Sequence, residues 1–123
     1  MQKLLICDHC GKMLEMVHVH GCPTKCCGEP MRELTPNTTE AATEKHIPEV
    51  VVDGNLLKVT VGSVEHPMTE EHFIEWISIE TNKGMQRKFL KAGDKPYAEF
   101  ALVSGETLIA TYAYCNLHGL WSK

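Results

Sequence analysis

Six cysteines and seven histidines stand among 123 residues, and their spacing carries the chemistry of the chain. Cys7 and Cys10 form a Cys-x-x-Cys turn followed by Gly11, which lets the backbone reverse. A gap of fifteen residues then brings Cys26-Cys27, followed by Gly28. Four thiolates suit a tetrahedral iron or zinc ion. Side chains of consecutive residues diverge, so an adjacent pair on one ion distorts the tetrahedron. Zinc ribbons use two Cys-x-x-Cys knuckles, and the pair therefore tilts the reading toward iron. Cys22 offers a substitute for one of the pair through Cys22-x-x-x-Cys26 but reads better as a spare thiol. His9, His18 and His20 read as bystanders, the last two alternating along an expected strand edge.

A second set consists of His46, His66, His72, His118 and Cys115. His46 precedes Ile47-Pro48 at the entry to a strand. His66 lies in a loop stiffened by Pro67. His72 follows six residues later, and Cys115 and His118 share a turn closed by Gly119. Each alone reads as a structural or surface residue, but five such groups at strand ends can converge where the loops of a sandwich cluster. A copper electron-transfer site would want two His, one Cys and a weak axial Met, and Met68 is a candidate for that Met, leaving histidines over. Four equatorial imidazoles with one axial thiolate instead make a square pyramid with an open face, which suits iron that binds a small ligand. Glu44-Lys45, beside His46, reads by composition as a solvated charge pair.

The elements that must hold these groups are mainly β. Val50–Val52 runs into Asp53-Gly54, a hairpin signal. Leu57, Val59 and Val61 alternate with Lys58 and Thr60, as in a half-buried strand. Residues 73–81 have a helical spacing at Phe73, Trp76 and Ile77, yet the isoleucines at 74, 77 and 79 favour a strand. Further strands are expected over 85–91, 97–103 and 107–114, with turns between them, which suggests a β-sandwich. The first 35 or so residues hold little that could form a core, and a module of that size needs a metal or cross-links. The polar segment Thr35-Pro36-Asn37-Thr38-Thr39-Glu40 marks the boundary.

The length fits small domains. Twelve basic and sixteen acidic residues give a net charge of −4, which excludes the basic stripe of a nucleic-acid binder. No stretch has the ~18 apolar residues of a membrane helix. The amino terminus has no signal-peptide core, so a reducing, cytoplasmic setting is expected, where clustered thiols ligate metals instead of pairing.

The segments Cys7-x-x-Cys10-Gly11, Cys26-Cys27-Gly28-Glu29-Pro30-Met31, Glu44-Lys45-His46-Ile47-Pro48, Val61-Gly62-Ser63-Val64-Glu65-His66-Pro67-Met68, His72-Phe73-Ile74-Glu75-Trp76-Ile77 and Cys115-Asn116-Leu117-His118-Gly119 resemble desulfoferrodoxin, the two-iron superoxide reductase family of anaerobes. The resemblance covers nearly the whole chain in the same order. It implies a small desulforedoxin- or rubredoxin-like iron-binding domain, residues 1–36, and an immunoglobulin-like β-sandwich, residues 37–123. Two Fe ions per chain are implied, one on Cys7, Cys10, Cys26 and Cys27, the other on His46, His66, His72, His118 and axial Cys115. Lys45 then matches the lysine over the open sixth position, Glu44 the carboxylate that caps it, and the amides of Leu117 and His118 point at the Cys115 sulfur. The implied activity is one-electron reduction of superoxide to hydrogen peroxide, detoxifying an anaerobe or microaerophile. A homodimer and electrons from rubredoxin or a similar carrier are implied too. Cys22, His18 and His20 depart from the family pattern.

Overall fold

A computed structural model describes residues 2–123. The chain divides between Thr35 and Pro36 into two compact units.

The first unit consists of five short strands: β1 (Leu4–Ile6), β2 (Met13–Glu15), β3 (Lys25–Cys26), β4 (Glu29–Pro30) and β5 (Arg32–Glu33). β1 lies between β2 and β5, antiparallel to both, while β3 and β4 pair separately as a hairpin. Leu4, Leu5, Cys7 and Leu34 are its buried apolar residues. So small a core does not by itself offset the entropy of ordering the unit, and cross-links of some kind are needed. Arg32 grips the Asp8 carboxylate through Nε and Nη2 at 3.0–3.2 Å, tying β5 to the first cysteine turn. The strand edge expected at His18 and His20 does not form. β2 ends at Glu15, and Val17, 98% exposed, begins an irregular segment with no partner strand to pair it.

The second unit opens with a single helical turn, α1 (Thr43–His46), then β6 (Pro48–Asp53), β7 (Leu56–Val61), β8 (Ile74–Thr81), β9 (Gly84–Phe89), β10 (Tyr97–Ala101), β11 (Leu108–Cys115) and β12 (Gly119–Ser122). Two antiparallel sheets, ordered β10-β7-β6 and β12-β11-β8-β9, form the β-sandwich that the sequence suggests. The Asp53-Gly54 hairpin is present, with Asp53 opposite Leu56 and Gly54 at φ 61°. Leu57, Val59 and Val61 of β7 point inward to meet Ile77 and Ile79 of β8, Phe100 of β10 and Ala113 of β11.

β8 is a strand, and its false helical spacing has a physical source. Its outer face is covered as well: Trp76 stacks on Tyr114 at 5.7 Å between centroids, and the Arg87 guanidinium lies 4.6 Å over the Trp76 ring. With both faces buried, alternation disappears from the sequence. The turn α1 was not foreseen at all. Ile47 N–H donates to Thr43 C=O at 2.9 Å and Lys45 N–H to Ala42 C=O at 3.2 Å, two bonds that no periodicity could announce.

Candidate metal centres

In the first unit the sulfurs of Cys7, Cys10, Cys26 and Cys27 all lie within 4.8 Å of one another. Cys10 Sγ is 3.6 Å from Cys26 Sγ, and Cys26 Sγ is 4.0 Å from Cys27 Sγ. A disulfide would bring sulfurs to about 2.05 Å. Two thiolates on one tetrahedral ion, each at about 2.3 Å, stand about 3.8 Å apart, which matches. The knuckle is built locally: Gly11 N–H donates to Cys7 C=O at 2.9 Å, and Cys10 N–H reaches Cys7 Sγ at 3.5 Å. The adjacent pair is accommodated by Cys27 in the left-handed region (φ 51°) with Gly28 after it (φ 78°), which turns the second sulfur back toward the first.

Charge within this set is unevenly shared. The Cys10 amide pulls the Cys7 thiol down to about 6, while the crowded sulfurs, Cys10 foremost, push Cys27 up to about 12. Charge is favoured on Cys7 and disfavoured on Cys26 and Cys27, a conflict that a cation among them removes. Cys22 is exposed and outside the group. His9 is a bystander, its Nε2 3.2 Å from a Glu29 carboxylate oxygen.

In the second unit four imidazoles form a near-square. Ring centroids of neighbours are 4.6 Å apart for His46–His66 and His66–His72, 5.0 Å for His72–His118 and 4.9 Å for His46–His118. The His46–His72 diagonal is 6.4 Å. Neighbouring rings stand at 77–85° to one another, like the blades of a propeller. His46 Nε2 lies 3.2 Å from His66 Nε2 and 3.1 Å from His118 Nδ1, and Cys115 Sγ lies 3.9 Å from His118 Nδ1. Donors at right angles on one ion, each ~2.1 Å from it, stand ~3.0 Å apart. Donor atoms of His46, His66, His72 and Cys115 all lie within 4.8 Å of one another.

Hydrogen bonds settle which nitrogens face inward. His46 Nδ1 is 2.7 Å from Ala42 C=O and His66 Nδ1 2.6 Å from Pro67 C=O. A carbonyl only accepts, so each Nδ1 carries the proton and each Nε2 a lone pair. Two lone pairs facing at 3.2 Å, and the His72 Nε2 buried without a partner, are repulsive and unsatisfied until a cation joins them. The residues therefore fit a bound metal ion, held by imidazoles and one thiolate.

The surroundings keep those bases free. Burial lowers His46 and His72, and it lowers His66 to about 4, with the neighbouring imidazoles adding to the effect. Lys45, exposed on α1, acts on His46 and His72 in the same direction. Cys115 is fully buried, and burial raises its thiol while the amides of His118 and Leu117 hydrogen-bond the sulfur and pull the other way. Met68, the candidate axial ligand of a copper site, has its sulfur 3.4 Å from the Ile74 amide and packs on the core, so the copper arrangement loses its fourth group.

Several positioning residues escaped the sequence reading. Trp121 stacks on His46 at 4.7 Å and donates through Nε1 to His118 C=O at 3.1 Å, so one indole braces two rings. Gly62 lies against α1: a Cβ there would sit 2.6 Å from Glu44 O and 2.9 Å from Lys45 C. A glycine outside any turn signal was the available hint.

Comparison with known proteins agrees with this geometry. The Desulfoferrodoxin family matches residues 38–123. The desulfoferrodoxin of Nitratidesulfovibrio vulgaris is 46% identical over 115 residues, covering 94% of this chain and 90% of that one. A desulfoferrodoxin homolog from Archaeoglobus fulgidus is 45% identical over 117 residues, covering 95% and 92%. Among solved structures, the superoxide reductase from Treponema pallidum superposes with a TM-score of 0.81 at 41% identity, over 97% of this chain and 98% of that one. The one-iron superoxide reductase from Giardia intestinalis gives a TM-score of 0.56 at 34% identity, over 65% of this chain and 95% of that one. Similarity this extensive, over a chain with both donor sets in place, puts the protein in the desulfoferrodoxin family.

Proposed function

We propose that the protein is a superoxide reductase: superoxide, one electron and two protons give hydrogen peroxide. The observation that carries this is the square of imidazoles beside a buried thiolate, in a chain whose full-length structural neighbour is a superoxide reductase. His46, His66, His72, His118 and Cys115 hold the catalytic iron in this reading, and Cys7, Cys10, Cys26 and Cys27 hold the other. The bound iron supplies a one-electron couple, which no side chain here could.

The chain's own groups do the rest. Superoxide is an anion and the protein carries a net charge of −4, so a local cation is needed at the mouth of the site. Lys45 is that cation: its charge reaches His46 and His72, and among the described residues no carboxylate pairs with it. It attracts the substrate and, through water, passes protons to the leaving peroxide. Glu44, exposed on the same turn, would be the carboxylate able to approach the bound iron after product release. Cys115 would hold the iron through its thiolate and lend it electron density, which the Leu117 and His118 amides on the sulfur would temper. The first unit acts as a desulforedoxin-like relay. The working form is a cytoplasmic homodimer fed by rubredoxin or a similar carrier.

Pulse radiolysis of the reduced, iron-loaded protein is the test. Each superoxide consumed should oxidise one iron and yield one hydrogen peroxide without oxygen. Oxygen evolution in the absence of a reductant would mean dismutation and overturn the reading.

A further inference from the structure

We propose that Asn116 is the positioning residue of His72, and that its side-chain amide governs how firmly the histidine–cysteine centre keeps its metal. The rings of His46 and His66 are each oriented by a carbonyl on their second nitrogen. His72 has nothing equivalent: among the described residues its ring makes no hydrogen bond, and its Nε2 is buried without a partner. Beyond its edge-to-face contacts with His66 and His118, its place in the square is set through its backbone.

Asn116 supplies that restraint on both sides of the histidine. Its Oδ1 accepts from Phe73 N–H at 3.0 Å, and its Nδ2 donates to Glu71 C=O at 3.0 Å. Its own backbone N–H donates to Phe73 C=O at 3.2 Å. Three bonds thus bracket His72 and tie it to the residue next to Cys115, where the β8–β11 ladder is interrupted between Tyr114 and Cys115. Thr69 braces the far side, exchanging backbone bonds with His72 at 3.0 and 3.2 Å. A side-chain amide is needed for this, because one group must accept from one flanking residue and donate to the other. Residues that orient metal ligands by direct hydrogen bonds are worth 10–100-fold in metal affinity as a rule, and a clamp on the ligand's backbone should act in the same direction.

The inference rests on the reading that the square holds iron, yet its test does not depend on superoxide chemistry. The full-length, iron-loaded protein and its Asn116→Ala and Asn116→Asp variants are exposed to a strong iron chelator, with ferric electron paramagnetic resonance recorded in parallel. Asn116→Ala should release iron from the histidine–cysteine centre roughly 10–100-fold faster, with an altered ferric line shape, while the four-cysteine iron leaves at the wild-type rate. Asn116→Asp keeps the acceptor for Phe73 and loses the donor to Glu71, so its release should be intermediate. Wild-type release and line shape in Asn116→Ala would overturn the proposal. So would a variant that melts earlier but whose remaining iron keeps the wild-type line shape, since that is the mark of a general structural role. Should Asn116→Ala not fold, wild-type release from Asn116→Asp is enough to reject the two-sided clamp.

Discussion

An imidazole in water is half protonated near pH 6.5, whereas that of His66 is held down to about 4 by burial. In the metal-free protein this carries a stability consequence of definite sign. Above pH 6.5 folded and unfolded chains are both neutral at this site, and the fold keeps its full stability. Between 6.5 and 4 the unfolded chain takes up a proton that the folded one refuses, so stability falls with pH and levels off below the folded value. At 1.36 kcal/mol per unit, His66 alone accounts for about 3 kcal/mol. His46 and His72, lowered for the same reason, steepen the loss. Urea unfolding of the metal-free protein at pH 7 and pH 4.5 measures it, and equal midpoints would contradict the geometry of the square. Lys45 is a residue-scale matter too. Lys45→Ala should slow superoxide capture by about tenfold at low ionic strength, and the gap should close as salt screens the charge; rates independent of salt in both proteins would remove Lys45 from the substrate's path.

At the scale of elements, legibility followed how local the cause was. β7 could be read because one face meets the core and the other meets water, so its burial alternates residue by residue. The β6–β7 hairpin could be read because Gly54 takes a conformation few other residues tolerate. Both donor sets were visible as residue types, but the fit of the imidazole square was not: Pro67 and Ala42 orient their rings through backbone carbonyls that carry no residue-type signal, and Trp121 braces His46 from the far end of the chain. The turn α1 lies at the opposite extreme. It is four residues long, far too short to be stable by propensity, and exists because the Glu44 carbonyl accepts from Val64 N–H at 2.8 Å and Gly62 leaves room for it. Gly62→Ala tests this. The added methyl meets backbone, which cannot swing aside like a side-chain tip, so α1 must move and carry Glu44, Lys45 and His46 with it. We expect a cost of about 1–3 kcal/mol in unfolding free energy and a shifted visible band from the histidine–cysteine iron. An unchanged band would show that the site does not depend on this close approach.

At the scale of the whole molecule, each unit has its own core and its own donor set, and the two solve the problem of stability differently. The second unit buries a continuous sandwich core from both sheets, so its fold should depend far less on a metal. The first has Leu4, Leu5, Leu34 and Cys7 and little else, so the free energy of gathering four sulfurs on an ion is in large part its folding free energy. Cys10→Ser should therefore act on one unit alone. The first unit should lose its iron, its visible absorption and its protected amides in hydrogen exchange. The second should keep its melting temperature, because its core is built from its own strands. Superoxide reduction by a pre-reduced sample should stay largely intact, because substrate binding and Lys45 belong, in the proposed function, to the second centre. What the variant should impair is re-reduction by an external carrier, if electrons enter through the four-cysteine iron. Complete loss of activity with the second iron still bound would show that the two centres work as one, and that the separation of cores does not extend to the chemistry.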